Sequence, residues 1–236
     1  MIPTGTPPLY PTILFVLTIG VVVGLILRLL RTIQISPRFR NLSIAILIGW
    51  MAVLGILTAQ GFFLDFSSVP PRQALLVLPS FILLGLLIVK MRRWNIIGLI
   101  PPAFVIGIQA FRLPLEITLH ELYRDGWVAQ EMTWSGFNFD VVIGILALPV
   151  TWFAVVKKTL PRWTILAFHS LGLCTVTIVA TTGILSVPLP FQVLHTTPAN
   201  IFTSTFPYSW LPSILVPLAV FAHILGLRQY LTGRIQ

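Results

Sequence analysis

The sequence predicts an all-α polytopic membrane protein, a single transmembrane domain of seven helices covering residues 1–236. The chain is 56% hydrophobic and only 9% charged, with a mean hydropathy of +0.96, whereas soluble domains contain about 25% charged residues. Apolar segments recur at lengths of about 20 residues, which is enough to cross a hydrocarbon layer roughly 30 Å thick. Short basic clusters separate these segments, as expected for loops at a membrane surface.

Seven segments are predicted to cross the membrane. Their approximate limits are 12–30, 42–62, 73–89, 95–122, 139–156, 162–185 and 207–227. The stretch MIPTGTPPLYPT before them is uncharged and rich in proline, so it is predicted to be a short disordered tail. Basic residues follow the first segment and do not precede it, which favours a retained helix over a cleaved signal peptide.

Prolines and glycines within these segments predict local departures from straight, evenly spaced helices. Pro101 and Pro102 are expected to kink or delay the fourth helix, and Pro212 and Pro217 to distort the seventh, because proline lacks a backbone donor. Small residues allow neighbouring membrane helices to approach closely. The glycines expected to act in this way are Gly20, Gly24, Gly49, Gly55, Gly172 and Gly183.

The basic residues also predict the orientation of the chain. Twelve of the 15 lysines and arginines flank one set of helix ends, and all six acidic residues lie toward the other set. By the positive-inside rule the N-terminus lies outside and the C-terminus lies in the cytoplasm. The high pI, near 10.9, therefore reflects topology, and no nucleic-acid partner is expected. Membrane lipids are the expected partners, with a small-molecule ligand as a further one, and the sequence identifies no partner protein.

One segment, residues 111–140, contains five of the six acidic residues and also Arg112. Counted from Ile96 at about 1.5 Å per residue, Arg112 lies about 24 Å into the fourth helix, roughly one turn below the outer boundary. An ionised side chain at this depth costs a few kcal/mol unless it is paired or hydrated. Arg112 therefore marks either a functional site or an ion pair that locks two helices together.

Four other residues are candidates for the same site. Glu116 lies one helical turn after Arg112 on the same face, and Asn138 and Asp140 begin the fifth helix at a similar depth. Trp210 lies at the outer interface of the seventh helix, where amphipathic rings are common. We interpret these residues as substrate-binding or ion-pair residues in a polar, outward-facing pocket between the fourth, fifth and seventh helices.

Two other kinds of site are alternatives, although no cofactor is predicted. Glu116 and His120 at i, i+4, with Glu121, Glu131 or Asp140 as a further ligand, could bind a metal ion, but this spacing lacks the order of a zinc-protease motif. His169 and His223 occupy similar depths in consecutive antiparallel helices. They could be paired axial ligands of a haem, or simply a hydrogen bond between two helices.

Three stretches of the sequence carry a resemblance to a known family. They are FRLPLE, EMTWSGFNFD with the GILALP that follows, and PYSWLPSILVP with the trailing His223. The chain resembles a family of uncharacterised bacterial multi-pass membrane proteins with an MTF-x-G-x-N-x-D stretch and a WLP-x3-VP stretch, although Trp134 replaces the expected phenylalanine. The resemblance implies a bacterial inner (plasma) membrane location and no particular activity. The residues that it singles out are Arg112, Glu116, Asn138 and Asp140.

Three functions fit the sequence. The first is binding or transport of a small solute, a proton or a lipid head group at the outer charged cluster. The second is a metal-dependent, membrane-embedded hydrolase, and the third is a structural or accessory subunit of a membrane complex. No nucleotide-binding or serine-hydrolase motif is present to extend this set.

Overall fold

The computed structural model describes residues 6–234, and in that range the chain is helical and contains no β-strand. The α-helices are numbered α1 to α9 in chain order. Their bounds are α1 Leu9–Thr32, α2 Pro37–Ala59, α3 Ala74–Lys90, α4 Ile96–Leu99, α5 Pro102–Gly107, α6 Arg112–Arg124, α7 Asp140–Val150, α8 Trp163–Leu185 and α9 Val216–Leu231.

Five helical stretches are long and apolar enough to cross a membrane. They are Leu9–Thr32, Pro37–Ala59, Pro102–Arg124, Trp163–Leu185 and Leu211–Leu231. Two further apolar helices, Ala74–Lys90 and Asp140–Val156, are shorter. The all-helical membrane class is therefore confirmed, whereas a count of seven spans and their orientation stay predictions.

The ends of several helices differ from the predicted ones. The first helix begins at Leu9, so the predicted disordered tail is helical from that residue onward, and residues 1–5 of that tail lie outside the described range. The last span begins at Leu211 and not at Pro207, because the chain makes a turn through Tyr208 before the helix starts. These shifts change no assignment of a segment to helix.

The proline pair interrupts the fourth predicted span, as expected. Helix α4 ends at Leu99, Ile100 is extended, and α5 begins at Pro102. Two prolines in succession leave the carbonyls of Ile97 and Gly98 without their helical donors. The end of α9 and the residues after it replace those donors, since Gln229 Nε2 donates to Ile97 O (3.2 Å) and Arg234 Nη1 donates to Gly98 O (3.0 Å).

Prolines also accompany irregular turns in two other helices. Helix α7 contains Pro149 and continues as a π-helical turn over Thr151–Val156. A second π-helical turn, Leu211–Leu215, contains Pro212 and leads into α9, which has Pro217 in its first turn. The predicted distortion of the last span is therefore present, and it lies at the start of that span.

Helices α5 to α9 form the centre of the bundle. Helix α6 packs against α7, α7 against α8, α8 against α9, and α9 against α5. Of the 18 most apolar consecutive residues in each span, 56% are buried in Pro102–Arg124 and in Leu211–Leu231, compared with 28% in α1 and α8 and 11% in α2. Helix α2 therefore lies at the periphery of this centre, whereas α1 packs against α6 and α3 against α9.

Glycines permit two close helix crossings in this centre. A Cβ on Gly144 of α7 would collide with the backbone of Leu113 in α6. A Cβ on Gly172 of α8 would overlap the ring of His223, and one on Gly226 of α9 would overlap the ring of His169. The prediction of close approach holds for Gly172, whereas nothing lies within 4 Å of a Cβ at three of the other predicted positions, Gly20, Gly24 and Gly49.

Candidate functional site

The structure pairs the two charged residues that begin α6 and α7. Arg112 is the first residue of α6 and Asp140 the first residue of α7, and their side chains are 1% and 7% exposed. Arg112 Nη1 lies 3.3 Å from Asp140 Oδ1. Helices α6 and α7 are also in contact one turn after this pair, since a side chain at Gly144 would collide with α6. The crossing of α6 and α7 therefore holds the two charges together inside the bundle.

Glu116 and Asn138 form a second hydrogen-bonded pair beside Arg112 and Asp140. Both side chains are buried, and Asn138 Nδ2 lies 2.7 Å from each of the two carboxylate oxygens of Glu116. The same amide nitrogen donates to Met132 O (3.0 Å), while Asn138 Oδ1 accepts a hydrogen bond from Asp140 N (2.9 Å). Asn138 therefore joins the Glu116 carboxyl group to the start of α7 and fixes the loop before that helix.

Helix α8 supplies the remaining partners of the arginine. Arg112 Nη1 donates to Gly172 O at 3.3 Å and lies 3.5 Å from Thr175 Oγ1. No sequence signal indicated this contribution, because a backbone carbonyl and a threonine resemble the rest of an apolar helix. The site expected between the fourth, fifth and seventh helices is thus completed by the sixth, α8.

The two histidines meet close to the arginine, on the far side of Gly172. His169 Nδ1 and His223 Nδ1 are 3.1 Å apart, the ring centroids are 5.3 Å apart, and both side chains are fully buried. Each ring packs on the glycine of the opposite helix, His223 on Gly172 and His169 on Gly226. The rings thus hydrogen-bond to each other, and both would have to turn for their nitrogens to ligate a haem iron from opposite sides.

Gly172 lies between the two parts of the site, which together we call the buried network: its carbonyl accepts a hydrogen bond from Arg112, and its Cα is in van der Waals contact with the ring of His223. Four buried nitrogens of this network have no hydrogen-bond partner among residues 6–234: Arg112 Nε, Arg112 Nη2, His169 Nε2 and His223 Nε2. Buried polar atoms are nearly always hydrogen-bonded to protein or water. The network therefore has capacity for further ligands.

The candidate metal ligands Glu116, His120 and Glu121 each contact a different partner. Glu116 is held by Asn138, the half-buried His120 stacks on Trp134 with centroids 4.2 Å apart, and Glu121 pairs with Arg124 at 3.4 Å. Within residues 6–234 no three His, Cys, Asp or Glu side chains are close enough to hold a metal ion. The structure therefore does not bring Glu116, His120 and Glu121 into one ligand set.

Two further expectations from the sequence concern Trp210 and a pocket that opens outward. The Trp210 indole donates to Met51 O of α2 (3.1 Å) and contacts Gly55, so it packs against a peripheral helix. Arg112, Glu116 and Asn138 are each at most 1% exposed. The polar side chains therefore fill the space between the helices and do not line a pocket that is open at the outer surface.

The comparisons with known proteins add no assignment. No family model, no curated protein and no solved structure matches this chain.

Proposed function

We propose that this chain is an integral membrane protein that binds and relays protons through the buried network of Arg112, Glu116, Asp140, His169 and His223. In the proposed orientation the N-terminus lies outside a bacterial inner membrane, so that Glu116 is toward the outside and the histidines are toward the cytoplasm. The observation that carries the proposal is the succession of buried ionisable groups on helices α6 to α9. Chains of acidic residues and histidines within membranes are typical of proton relays.

The charge balance of the network favours proton binding. It contains two carboxyl groups, Glu116 and Asp140, and one guanidinium, Arg112. Asp140 pairs with Arg112, so Glu116 has no counter-charge and is bound by a single amide. An uncompensated charge inside a protein costs several kcal/mol. A proton on Glu116 removes that cost, and the site therefore holds and releases one proton as its surroundings change.

The proposed proton path follows hydrogen bonds from Glu116 to Arg112 and crosses the packed contact at Gly172 to reach the histidine pair. Hydrogen bonds link Glu116 to Asn138 and Asn138 to Asp140, and the ion pair leads from Asp140 to Arg112. Thr175 lies nearly two turns from His169 along α8, or about 9 Å, and Glu116 lies one turn from Arg112, or about 6 Å. Together these segments cover about 15 Å, which is roughly half of a 30 Å hydrocarbon layer.

The histidine pair is suited to passing a proton along. When both rings are neutral, the ring that donates through Nδ1–H has a bare Nε2, and the ring that accepts has an Nε2–H. A proton that binds the bare Nε2 of the first ring allows that ring to give its Nδ1 proton to the second, which then releases its own Nε2 proton. The Nε2 atoms of His169 and His223, which have no partner in the described chain, are the entry and exit points of this step.

Proton flux into liposomes tests the proposal. Purified protein is reconstituted with a pH-sensitive dye inside the vesicles, and a potassium diffusion potential drives proton entry. Wild-type protein is expected to acidify the lumen, and Glu116→Gln and His223→Phe are expected to abolish this. Glu121→Gln is the matched control, because Glu121 lies on the same helix but in an exposed ion pair with Arg124. Wild-type flux no greater than that of empty liposomes would refute a proton relay.

A small carboxylate is a second candidate ligand, favoured by one observation. Arg112 uses only Nη1 for its protein partners, while Nε and Nη2 are unpartnered in the described chain. That edge of a guanidinium binds a carboxylate through two parallel hydrogen bonds. Binding would raise the thermal stability of wild-type protein in acetate relative to chloride at equal ionic strength. Arg112→Lys keeps the charge but has no Nε–Nη2 edge, so its thermal stability should be the same in acetate as in chloride.

A further inference from the structure

A second polar feature lies outside the network, where α3 and α9 end. A cavity of about 330 Å³ is lined by Ile88, Val89, Met91, Arg92, Ile97 and Arg228. Its apolar residues come from the end of α3 and from α4, and its two cations come from the turn after α3 and from the last turn of α9. The cavity therefore combines an apolar wall with two guanidinium groups at one membrane interface.

The cations of this cavity have no acidic partner in the described chain. The ion pairs among residues 6–234 are Asp65–Arg72, Arg112–Asp140 and Glu121–Arg124, and all of them lie elsewhere. All six acidic residues of the sequence fall between residues 65 and 140, and none lies in the segments 88–97 or 225–234. Lys90, Arg93 and Arg234 add further positive charge nearby in sequence. Arg92 and Arg228 are both exposed, and an anion bound between them would therefore come from outside the described chain.

The apolar wall distinguishes a lipid from a soluble anion. Val89 is 77% exposed on the outside of α3, whereas Met91 and Ile97 are 2% and 8% exposed and form the floor. A hydrocarbon chain lying along Val89 would bury surface that otherwise contacts only the bilayer. Basic pockets between helices on the cytoplasmic side of membrane proteins are suited to anionic head groups.

We propose that this cavity binds one anionic phospholipid, with its phosphate between Arg92 and Arg228 and an acyl chain against Ile88 and Val89. The site is held in shape by the contacts that close the break between α4 and α5. Gln229, the residue after Arg228, donates to Ile97 O and Ile100 O and so fixes the end of α9 to the cavity floor.

Native mass spectrometry of the detergent-purified chain tests this site, with phosphatidylglycerol and phosphatidylcholine as probes. Wild-type protein is expected to bind one phosphatidylglycerol more tightly than phosphatidylcholine. The double variant Arg92→Gln/Arg228→Gln should bind it about 30-fold more weakly, since each basic residue near an anionic surface contributes roughly a factor of five. The control Arg38→Gln/Arg40→Gln removes the same charge from the start of α2 and should keep wild-type affinity.

Every other outcome overturns the proposal. Equal loss in the control would show general attraction between charges, and equal binding of the two lipids would show only an apolar contact. Displacement of phosphatidylglycerol by inorganic phosphate at millimolar concentration would identify a site for free phosphate. If the double glutamine variant fails to fold, Arg228→Gln alone replaces it and should bind phosphatidylglycerol about five-fold more weakly, whereas an unchanged affinity would overturn the proposal.

Discussion

Removal of the negative partner of Arg112 should destabilise the protein more than any surface change. In Asp140→Asn the guanidinium stays inside the bundle, where it is 1% exposed, with Gly172 O and Thr175 Oγ1 as its remaining partners. Breaking a buried ion pair from one side typically costs about 3–5 kcal/mol, because the other charge is left uncompensated. The lower end applies here, since the amide oxygen of the substituted side chain can still accept a hydrogen bond. We therefore expect a loss of about 3 kcal/mol in the free energy of unfolding.

The same reasoning predicts that a second substitution rescues the first. In Arg112→Gln/Asp140→Asn neither charge remains, so the double variant should be more stable than Asp140→Asn alone. The difference between the double variant and the sum of the singles measures the coupling of the pair. Glu121→Gln breaks an ion pair in which Arg124 is 65% exposed, and exposed pairs of this kind contribute about 1 kcal/mol or less.

The assay is reversible unfolding of the purified protein in mixed micelles of increasing sodium dodecyl sulfate content, followed by far-ultraviolet circular dichroism. The four variants of the cycle and the Glu121 control are compared at one pH and one salt concentration. A loss for Asp140→Asn no larger than that of the control would refute the reasoning. A double variant less stable than both singles would also refute it, because it would show that packing of the two side chains matters more than their charge.

Three further predictions concern packing, backbone satisfaction and pH. Gly144→Ala should cost about 1–3 kcal/mol in the same unfolding assay, because its Cβ meets the backbone of α6, whereas Gly85→Ala, with open space around it, should not destabilise. Gln229→Leu leaves two carbonyls at the proline break without donors and should cost about 1–3 kcal/mol each, with added hydrogen exchange limited to the α4–α5 junction. Hydrogen bonds from Ser67 lower the pKa of Asp65 below its ordinary value of 3.8. That stabilisation is present above pH 3.8 and is lost as the pH falls through the folded pKa. As the pH is lowered through this range, the free energy of unfolding of Asp65→Asn should therefore decrease less than that of the wild-type protein.

The sequence was informative where a rule links residue type directly to position. Two adjacent prolines remove two backbone donors, so the break between α4 and α5 followed from Pro101 and Pro102 alone. An arginine inside an apolar segment needs a partner, and Asp140 was the acidic residue at a matching depth. In both cases one residue imposes a requirement that few other residues can meet.

Other features of the site depend on helix packing, which the sequence does not specify. The contribution of α8 is made by the carbonyl of Gly172, an atom that every residue has, so nothing in the sequence distinguishes it. Gly144 is critical and Gly20 is not, because only one of them lies at a helix crossing. His169 and His223 were interpreted separately from Arg112, since depth along a helix does not say which face a residue occupies.

The composition of the network argues for a role beyond holding helices together. Locking α6 to α7 requires only the pair of Arg112 and Asp140, and apolar side chains of similar volume often stabilise a protein as well as a buried ion pair does. Glu116 adds a third ionisable group that increases the cost of burial, although a neutral amide at this position could also accept the hydrogen bond from Asn138. The histidine pair adds two more between α8 and α9. A structural role would favour fewer such groups, whereas transfer of a proton requires several of them in succession.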